Sequence, residues 1–477
     1  MSKNKTIHTD ICIIGGGSAG LSAAAGAIQM GAKVVLIEHH KMGGDCLNYG
    51  CIPSKSLITV AQKANTVKNL EKYGLKADLA AVDYKKVRAY IHRVIKKIEP
   101  HDSVERFEKL GVKVIKSPAH FIGPREIKAG DTKIKAKFIA IATGSHPVTP
   151  PIPGIDKVPY LTNETIFNLD AQPTRLIVIG GGPIGCEMAQ AHAMLGTPVT
   201  LISHSPILSK DDPDLTTIVR KSLKNTEIDL VEKAEIEKID NHKGDIKVTY
   251  KIKGKIHEFT GSHLLIAAGR QANVQSLELD KAGIEYTDRG IKVNDRLQTS
   301  NKRVYALGDV TGGYQFTHVA GYHAGIFIRN TLFRLPAKAD HHAVPWCTYT
   351  YPELAHVGLN EHQARDKYGN SVKALSWPFT ENDRAQAMGD TTGLMKVITK
   401  KNGTILGCSI AAPHAGEILH PWIIAIQNKQ RLGPILKAIA PYPTLSEASK
   451  RIAGSFYTDT LFSGRTKKIV RFLLKFA

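Results

Sequence analysis

An α/β chain with two Rossmann-like domains and a C-terminal α+β domain is predicted by three observations. A strand, glycine turn, helix, strand pattern occurs twice, beginning at Ile11 and at Leu176. Two near-copies, Phe138–Gly144 (FIAIATG) and Leu264–Arg270 (LLIAAGR), each end a strand in a small-residue turn, where a chain can leave and re-enter a nucleotide domain. From about His341 to Tyr457 the pattern becomes a mixed one of strands and helices. At 477 residues the chain exceeds one core and suits about three domains.

Sixty-four Lys and Arg against 43 Asp and Glu give a formal charge of +21, so acidic partners come into view: nucleotide phosphates, nucleic acid or an anionic membrane. Neither zinc-finger spacing nor an RNA-binding aromatic signature supports nucleic acid. The six cysteines are scattered, unlike those of a secreted scaffold, and favour a reducing interior. MSKNKTIHTD lacks the apolar core of a signal peptide, and no apolar run approaches the roughly 18 residues of a spanning helix.

In chain order, the apolar run Ile11–Ile14 leads into Gly15, Gly17 and Gly20, an alanine-rich helix pattern, a second run Val34–Ile37, and Glu38. Glycines at those positions permit a tight turn and close approach to a pyrophosphate, and Glu38 can accept from a ribose hydroxyl. Residues 42–55 follow, with Cys46 and Cys51 five apart in a glycine-flanked turn. Their spacing is compatible with a small reducible ring, and Pro53 suits a helix start beside Cys51. A metal half-site or two ordinary buried thiols fit the same spacing. Next come two helical stretches, Ser54–Tyr73 and Tyr84–Leu110 with a break near Pro100, then short strands over 112–142. Prolines over 147–159 make a boundary.

The second unit runs from Leu176–Ile179 through Gly180, Gly182 and Gly185 to Val199–Ile202. Gly180 to Ser203 spans the same distance as Gly15 to Glu38, so Ser203, followed by His204, stands where an NAD-selective site carries its acid. A 2′-phosphate would meet no repulsion there, which leans the site toward NADPH. Later, Arg303–Val310 places Asp309 directly after a strand and Gly308. The C-terminal unit reads as strands near 344–350, 372–378 and 393–411 and helices near 360–368, 415–430 and 446–453.

Over almost its whole length the chain resembles the FAD-dependent pyridine nucleotide disulfide oxidoreductases, the family of dihydrolipoamide dehydrogenase, glutathione reductase and mercuric reductase. The resemblance rests on GGDCLNYGCIPSK at 43–55, both glycine turns, FIAIATG with LLIAAGR, and YALGD at 305–309. It implies a glutathione-reductase-like fold with an FAD domain at 1–150 and 270–340, an NAD(P) domain at 151–269, a dimerisation domain at 341–460 and a tail at 461–477. By the same resemblance Cys46 and Cys51 form the redox disulfide, Cys51 facing the flavin and Cys46 exchanging with the acceptor. Thr143, Gly144 and Gly269 belong to the turns between domains, Asp309 binds the ribityl chain, and Gln315–Ala324 passes the flavin through backbone groups. Lys55 lies near flavin N5 paired with Glu187, and a homodimer completes each active site. A helix end stabilises a thiolate by only about 0.3–1 kcal/mol, so an acidic Cys51 needs a second cause, such as the flavin ring.

The departure is at residues 440–447, APYPTLSE, where Tyr442 replaces the histidine base of the dithiol-using relatives while Glu447 is retained. A phenol with a pKa near 10 stays protonated at neutral pH, and losing a general base typically costs about 10² to 10⁴ in rate. Mercuric reductase is similar in carrying tyrosine here, yet the chain ends LLKFA without that enzyme's C-terminal cysteine pair and has no N-terminal metal-binding domain. Asp45, where many relatives carry threonine, is expected to cap the turn. The expected function is an FAD-dependent NAD(P)H oxidoreductase, mercuric reductase-like, with a metal ion, a small disulfide or a membrane quinone as acceptor; no resident metal is expected. Rivals are a dihydrolipoamide dehydrogenase lacking its base, and a flavin-binding membrane- or nucleic-acid-associated module. The last stretch, Arg465–Phe476, places Lys467, Lys468, Arg471 and Lys475 on one helical face and apolar residues on the other, which suits packing on the protein itself or on the dimer partner, or lying on a membrane. The expected place is the cytoplasm, peripheral to the inner face of a membrane.

Overall fold

The computed structural model describes residues 5–78 and 81–477. Met1–Asn4, the start of the segment read as lacking a signal-peptide core, lie outside the described residues. The chain divides into two units: Met1–Gly180, Met194–Ile202 and Ala234–Asp340 in one, and Gly181–Ala193, Ser203–Lys233 and His341–Ala477 in the other.

The first unit is organised by a sheet in the order 113–116, 34–38, 5–14, 132–141, 126–129, 119–123, with Val304–Ala306 also pairing with 132–141. Its strands 113–116, 34–38, 5–14, 132–141 and 304–306 are mutually parallel, as βαβ crossovers require. Ile11, Ile13, Leu36 and Ile139 are fully buried, because a parallel strand is covered on both faces. Helix Ser18–Gln29 offers Ala19, Ala23, Ala24 and Ala27 to the core, small side chains that let it pack close. Within the same unit, residues 199–202, 176–179 and 263–266 pair as a second parallel set, as the repeated glycine motif predicts.

The segments leading out of FIAIATG and LLIAAGR pair with one another: Ser145–Pro147 is antiparallel to Arg270–Ala272, so the two small-residue turns lead into one short ribbon. The predicted helices appear as Cys51–Lys68 and Tyr84–Ile98, followed by Val104–Lys109 after a 3₁₀ turn at Glu99–Asp102 that contains Pro100. Most of Gln315–Ala324 lies in helix Thr317–Thr331, with Thr317 at its start.

The second unit holds a five-stranded antiparallel sheet in the order 345–348, 353–358, 405–412, 394–400, 372–378. Glu353–Gly358 was not foreseen: it follows Pro352 directly, and Leu354, Ala355, His356 and Val357 are all buried, which erases the two-residue alternation that marks a strand. Trp422, Phe379, Met395 and Ile410 fill the core beneath this sheet.

Candidate functional site

The cysteine turn is built directly on the first glycine turn. Helix Ser18–Gln29 starts at Gly17 with no side-chain cap, leaving its first N–H groups for a ligand. Gly20 tolerates nothing larger, since a Cβ there would lie 1.8 Å from the Gly15 carbonyl oxygen. Glu38, at the end of its strand, accepts from the Gly16 and His40 N–H groups, each at 2.6 Å. The Gly43 N–H donates to the Gly16 carbonyl at 2.9 Å. Gly44, at φ +59°, approaches Gly17 so closely that a Cβ would stand 2.7 Å from the Gly17 Cα. The short helix Gly44–Asn48, with Cys46, therefore rests on the turn that the pyrophosphate motif defines.

Cys51 opens helix Cys51–Lys68, and Pro53 falls in its first turn, where no backbone donor is required. No cysteine is bridged in this structure. The Cys46 and Cys51 sulfurs stand within hydrogen-bonding reach, and Thr317 Oγ1 lies 3.4 Å from Cys51 Sγ. The hydrogen bond from Cys46 pulls the Cys51 thiol down to about 6, against the opposing effect of burial, with the Thr317 hydroxyl and the Lys55 charge acting in the same direction. Cys46 is pushed up for the complementary reasons: it donates to Cys51, is buried, and would share the turn with a second anion. The second cause of an acidic Cys51 is thus found in the chain's own groups. Burial pushes the Cys12 thiol up to about 12, and Cys186 and Cys408 are also buried and shifted upward, so these three resemble ordinary core residues.

Asp45 does not cap the turn. Its Oδ1 lies 3.1 Å from the Arg270 guanidinium and accepts from Asn163 Nδ2 at 3.0 Å. Arg270 donates in turn to Ser145 Oγ at 2.8 Å and to the Ser145 carbonyl at 2.9 Å. The Ser145 hydroxyl donates to Asp309 Oδ2 at 2.7 Å. Burial raises the Asp309 carboxyl, with Ser145 and Arg270 working against the rise. An unbroken polar chain therefore links the cysteine turn to Asp309. Thr143 and Gly144 are tied to the same region by Asn273, whose Nδ2 donates to the Thr143 carbonyl and whose N–H donates to the Gly144 carbonyl. Gly269 directly precedes Arg270 in the returning segment.

At the second glycine turn, the Gly180 N–H donates to the Ile202 carbonyl at 2.9 Å. Ser203 lies against this turn as Glu38 lies against the first: a Cβ at Gly181 would fall 2.4 Å from Ser203 Oγ, and one at Gly16 would fall 3.2 Å from the Glu38 side chain. Gly182 faces open space, Gly185 lies in helix Pro183–Met194, Ser203 is buried and His204 exposed. Glu187 Oε1 accepts from the Tyr349 N–H at 2.9 Å.

Tyr442 is exposed, and its hydroxyl donates to Asp383 Oδ2 at 2.9 Å. That carboxylate pushes the phenol above its ordinary value, which leaves it a donor. Glu447, in the turn before helix Ala448–Leu461, accepts from Arg451 Nε at 3.0 Å. Sequence reasoning missed Arg270, Ser145, Asn163, Asn273, Thr317 and Asp383. Arg270 and Thr317 lay inside quoted segments, but nothing in their spacing signalled a partner more than a hundred residues away.

The residues present fit both nucleotides. An uncapped helix start, a glycine cradle and a carboxylate at the strand end suit one dinucleotide; the open Gly182 and the equivalent strand end at Ser203 suit another. A parallel α/β fold with two such turns, one carrying a thiol pair of which Cys51 is the acidic member, defines a dinucleotide-dependent dithiol oxidoreductase. The chain belongs to the pyridine nucleotide-disulphide oxidoreductase family, which matches residues 9–324, and its dimerisation domain matches residues 344–453. The enzyme accordingly uses FAD and NAD(P)H, and the matched dimerisation domain supports a homodimer. It is 36% identical to a mercuric reductase of Bacillus cereus over 94% of this chain and 72% of that one. It is also 33% identical to a dihydrolipoyl dehydrogenase of Geobacillus stearothermophilus over 94% and 96%. Among solved structures, the Cu(II) complex of the HOCl-induced flavoprotein disulfide reductase RclA from Escherichia coli superposes with a TM-score of 0.85, at 28% identity, over 94% of this chain and 99% of the other.

Proposed function

We propose that this enzyme passes electrons from NAD(P)H to a thiol-binding metal ion, in the manner of a mercuric reductase, through Cys46 and Cys51. The observation that carries this reading is the state of Tyr442. Held by Asp383 and shifted upward, its phenol cannot take the proton that a dithiol must surrender, whereas a metal ion bound by sulfur asks for no base. An acidic Cys51 beside a protonated Cys46 also offers one ready thiolate to a soft cation. Mercuric reductases among the relatives and the copper complex of a solved neighbour support this reading, while dihydrolipoyl dehydrogenase relatives keep the rival in view.

Bound FAD supplies two-electron transfer between the nicotinamide and the disulfide. On this reading the chain's residues act as follows. Gly15, Gly17, Gly20 and Glu38 hold the FAD diphosphate and ribose, Asp309 its ribityl chain, and Thr143, Gly144 and Gly269 shape the crossings beside it. Gly180, Gly182 and Gly185 seat the second nucleotide, with Ser203 and His204 favouring NADPH. Lys55 and Glu187 set the electrostatics at the flavin; Cys51 is the flavin-side thiolate and Cys46 the exchanging thiol. Tyr442 and Glu447 line the acceptor side. The domains divide at 150, 269 and 340, and the enzyme works in the cytoplasm, peripheral to the inner face of a membrane.

The test is NADPH oxidation by the holoenzyme with Hg(II), Cu(II), a small disulfide, a quinone and lipoamide compared on one preparation. Metal-dependent turnover that Cys51→Ser abolishes supports the proposal. Faster turnover of lipoamide than of either metal overturns it in favour of a dihydrolipoamide dehydrogenase that works without the usual base.

A further inference from the structure

We propose that the C-terminal helix Gly464–Leu473, with the four residues after it, docks the enzyme on an anionic phospholipid bilayer. Ser463 caps the helix by accepting from the Thr466 N–H, so its start is well defined. The sequence from Gly464 to Ala477 carries Arg465, Lys467, Lys468, Arg471 and Lys475 and no acidic residue. Within the helix, Lys467, Lys468 and Arg471 occupy one sector at helical spacing, and Ile469, Val470, Phe472 and Leu473 share the rest with Arg465; Leu474, Lys475 and Phe476 follow its end.

The apolar sector does not pack on the chain itself. Phe472 is 59% exposed, Leu474 67% and Phe476 76%, and the preceding Phe462, at 68%, extends the same bare surface. Side chains of that size left in water are a liability unless something covers them. The match to the family's dimerisation domain ends at residue 453, before this helix begins. The occupant must therefore accept large apolar groups and at the same time attract an unrelieved row of cations. An anionic bilayer surface does both: the rings and leucines enter the acyl boundary while Lys467 and Lys468, at the edges of the basic sector, reach the headgroups. The helix is too short to span, and among the described residues no helix is long and apolar enough to cross a membrane. Docking is therefore peripheral and reversible.

This inference is independent of the acceptor, and its test reads lipid binding. Holoenzyme of full length and holoenzyme ending at residue 464 are sedimented with vesicles of phosphatidylcholine alone and of phosphatidylcholine with phosphatidylglycerol. Full-length enzyme is expected to sediment with the anionic vesicles only and to be released by high salt. Truncated enzyme stays in solution. Reversing Lys467 or Lys468 to Glu weakens binding by at least about fivefold per position, and Phe472→Ser with Leu473→Ser abolishes it. Equal behaviour of the two lengths, or equal binding to both kinds of vesicle, overturns the proposal. So does a truncated chain that loses its dimeric mass, since the bare face would then belong to the partner subunit.

Discussion

Asp45 and Arg270, 225 positions apart in the chain, form an ion pair at 3.1 Å beside the cysteine turn. The carboxylate opposes ionisation of both thiols, and the guanidinium answers its charge. Replacing Arg270 with Gln leaves Asp45 without its cationic neighbour and should raise the pH midpoint for alkylation of Cys51 in the reduced enzyme by about one unit. Asp45→Asn should lower it. Ser145→Ala separates charge from positioning, because it cuts the link to Asp309 without touching the ion pair. Midpoints unchanged in both charge variants would show that the pair has no hold on the thiols.

Cys51 ionises well below an ordinary thiol because Cys46 and Thr317 hydrogen-bond it. In the reduced enzyme the long-wavelength absorbance of a thiolate beside flavin should persist at neutral pH and fade as pH falls through about 6. The depressed pKa of Cys51 favours the folded reduced protein at pH above the free-thiol value, and that advantage is lost as pH falls through the folded value. Thr317→Val should move the fading point upward by about one unit, since a hydrogen bond to a charged group contributes about 1.5–3 kcal/mol and is lost only in part. Fading at the same pH in the variant would remove Thr317 from the account.

Tyr442→His restores a base where the protein now presents a donor. Turnover of lipoamide or a small disulfide should rise by about tenfold or more, below the roughly 10² to 10⁴ of a fully supported base because Glu447 is already held by Arg451. Adding Arg451→Ala should raise it further. A histidine variant no faster than the parent with every disulfide would mean that position 442 does not face the acceptor.

Ser203 occupies the strand end that Glu38 occupies in the first unit. Ser203→Glu introduces the carboxylate that repels a 2′-phosphate, and should shift the NADPH to NADH ratio of kcat/KM toward NADH by about 10- to 100-fold. Steady-state rates with both nucleotides decide it. A parent enzyme that already prefers NADH strongly would contradict the NADPH assignment.

Lys396 ties three carboxylates together in the second unit. Its ammonium, with a side chain only 8% exposed, lies 3.0 Å from Asp212, 2.7 Å from Asp214 and 2.8 Å from Glu361. Lys396→Met leaves Asp212 buried without its cation, a change that typically costs about 3–5 kcal/mol. Trp346, Trp377 and Trp422, the chain's three tryptophans, all belong to this unit. Urea unfolding of the holoenzyme followed by tryptophan fluorescence therefore reads it directly. A midpoint within error of the parent would show that the carboxylates find other partners.

Local pattern was enough for much of this protein. Glycine spacing, the acid after the second strand, the cysteine turn and the basic tail each follow from residues near one another in the chain, because a βαβ turn and an amphipathic helix are properties of short segments. Tertiary structure alone decided which distant groups meet those segments. Asp45 reads as a turn cap until folding brings Arg270 and Asn163 to it, Cys51 owes its acidity partly to a hydroxyl 266 positions away, and Tyr442 is held by Asp383, 59 positions before it. Spacing encodes what neighbours along a backbone can do together; charge and hydrogen bonding act through space, and only the folded chain sets those distances.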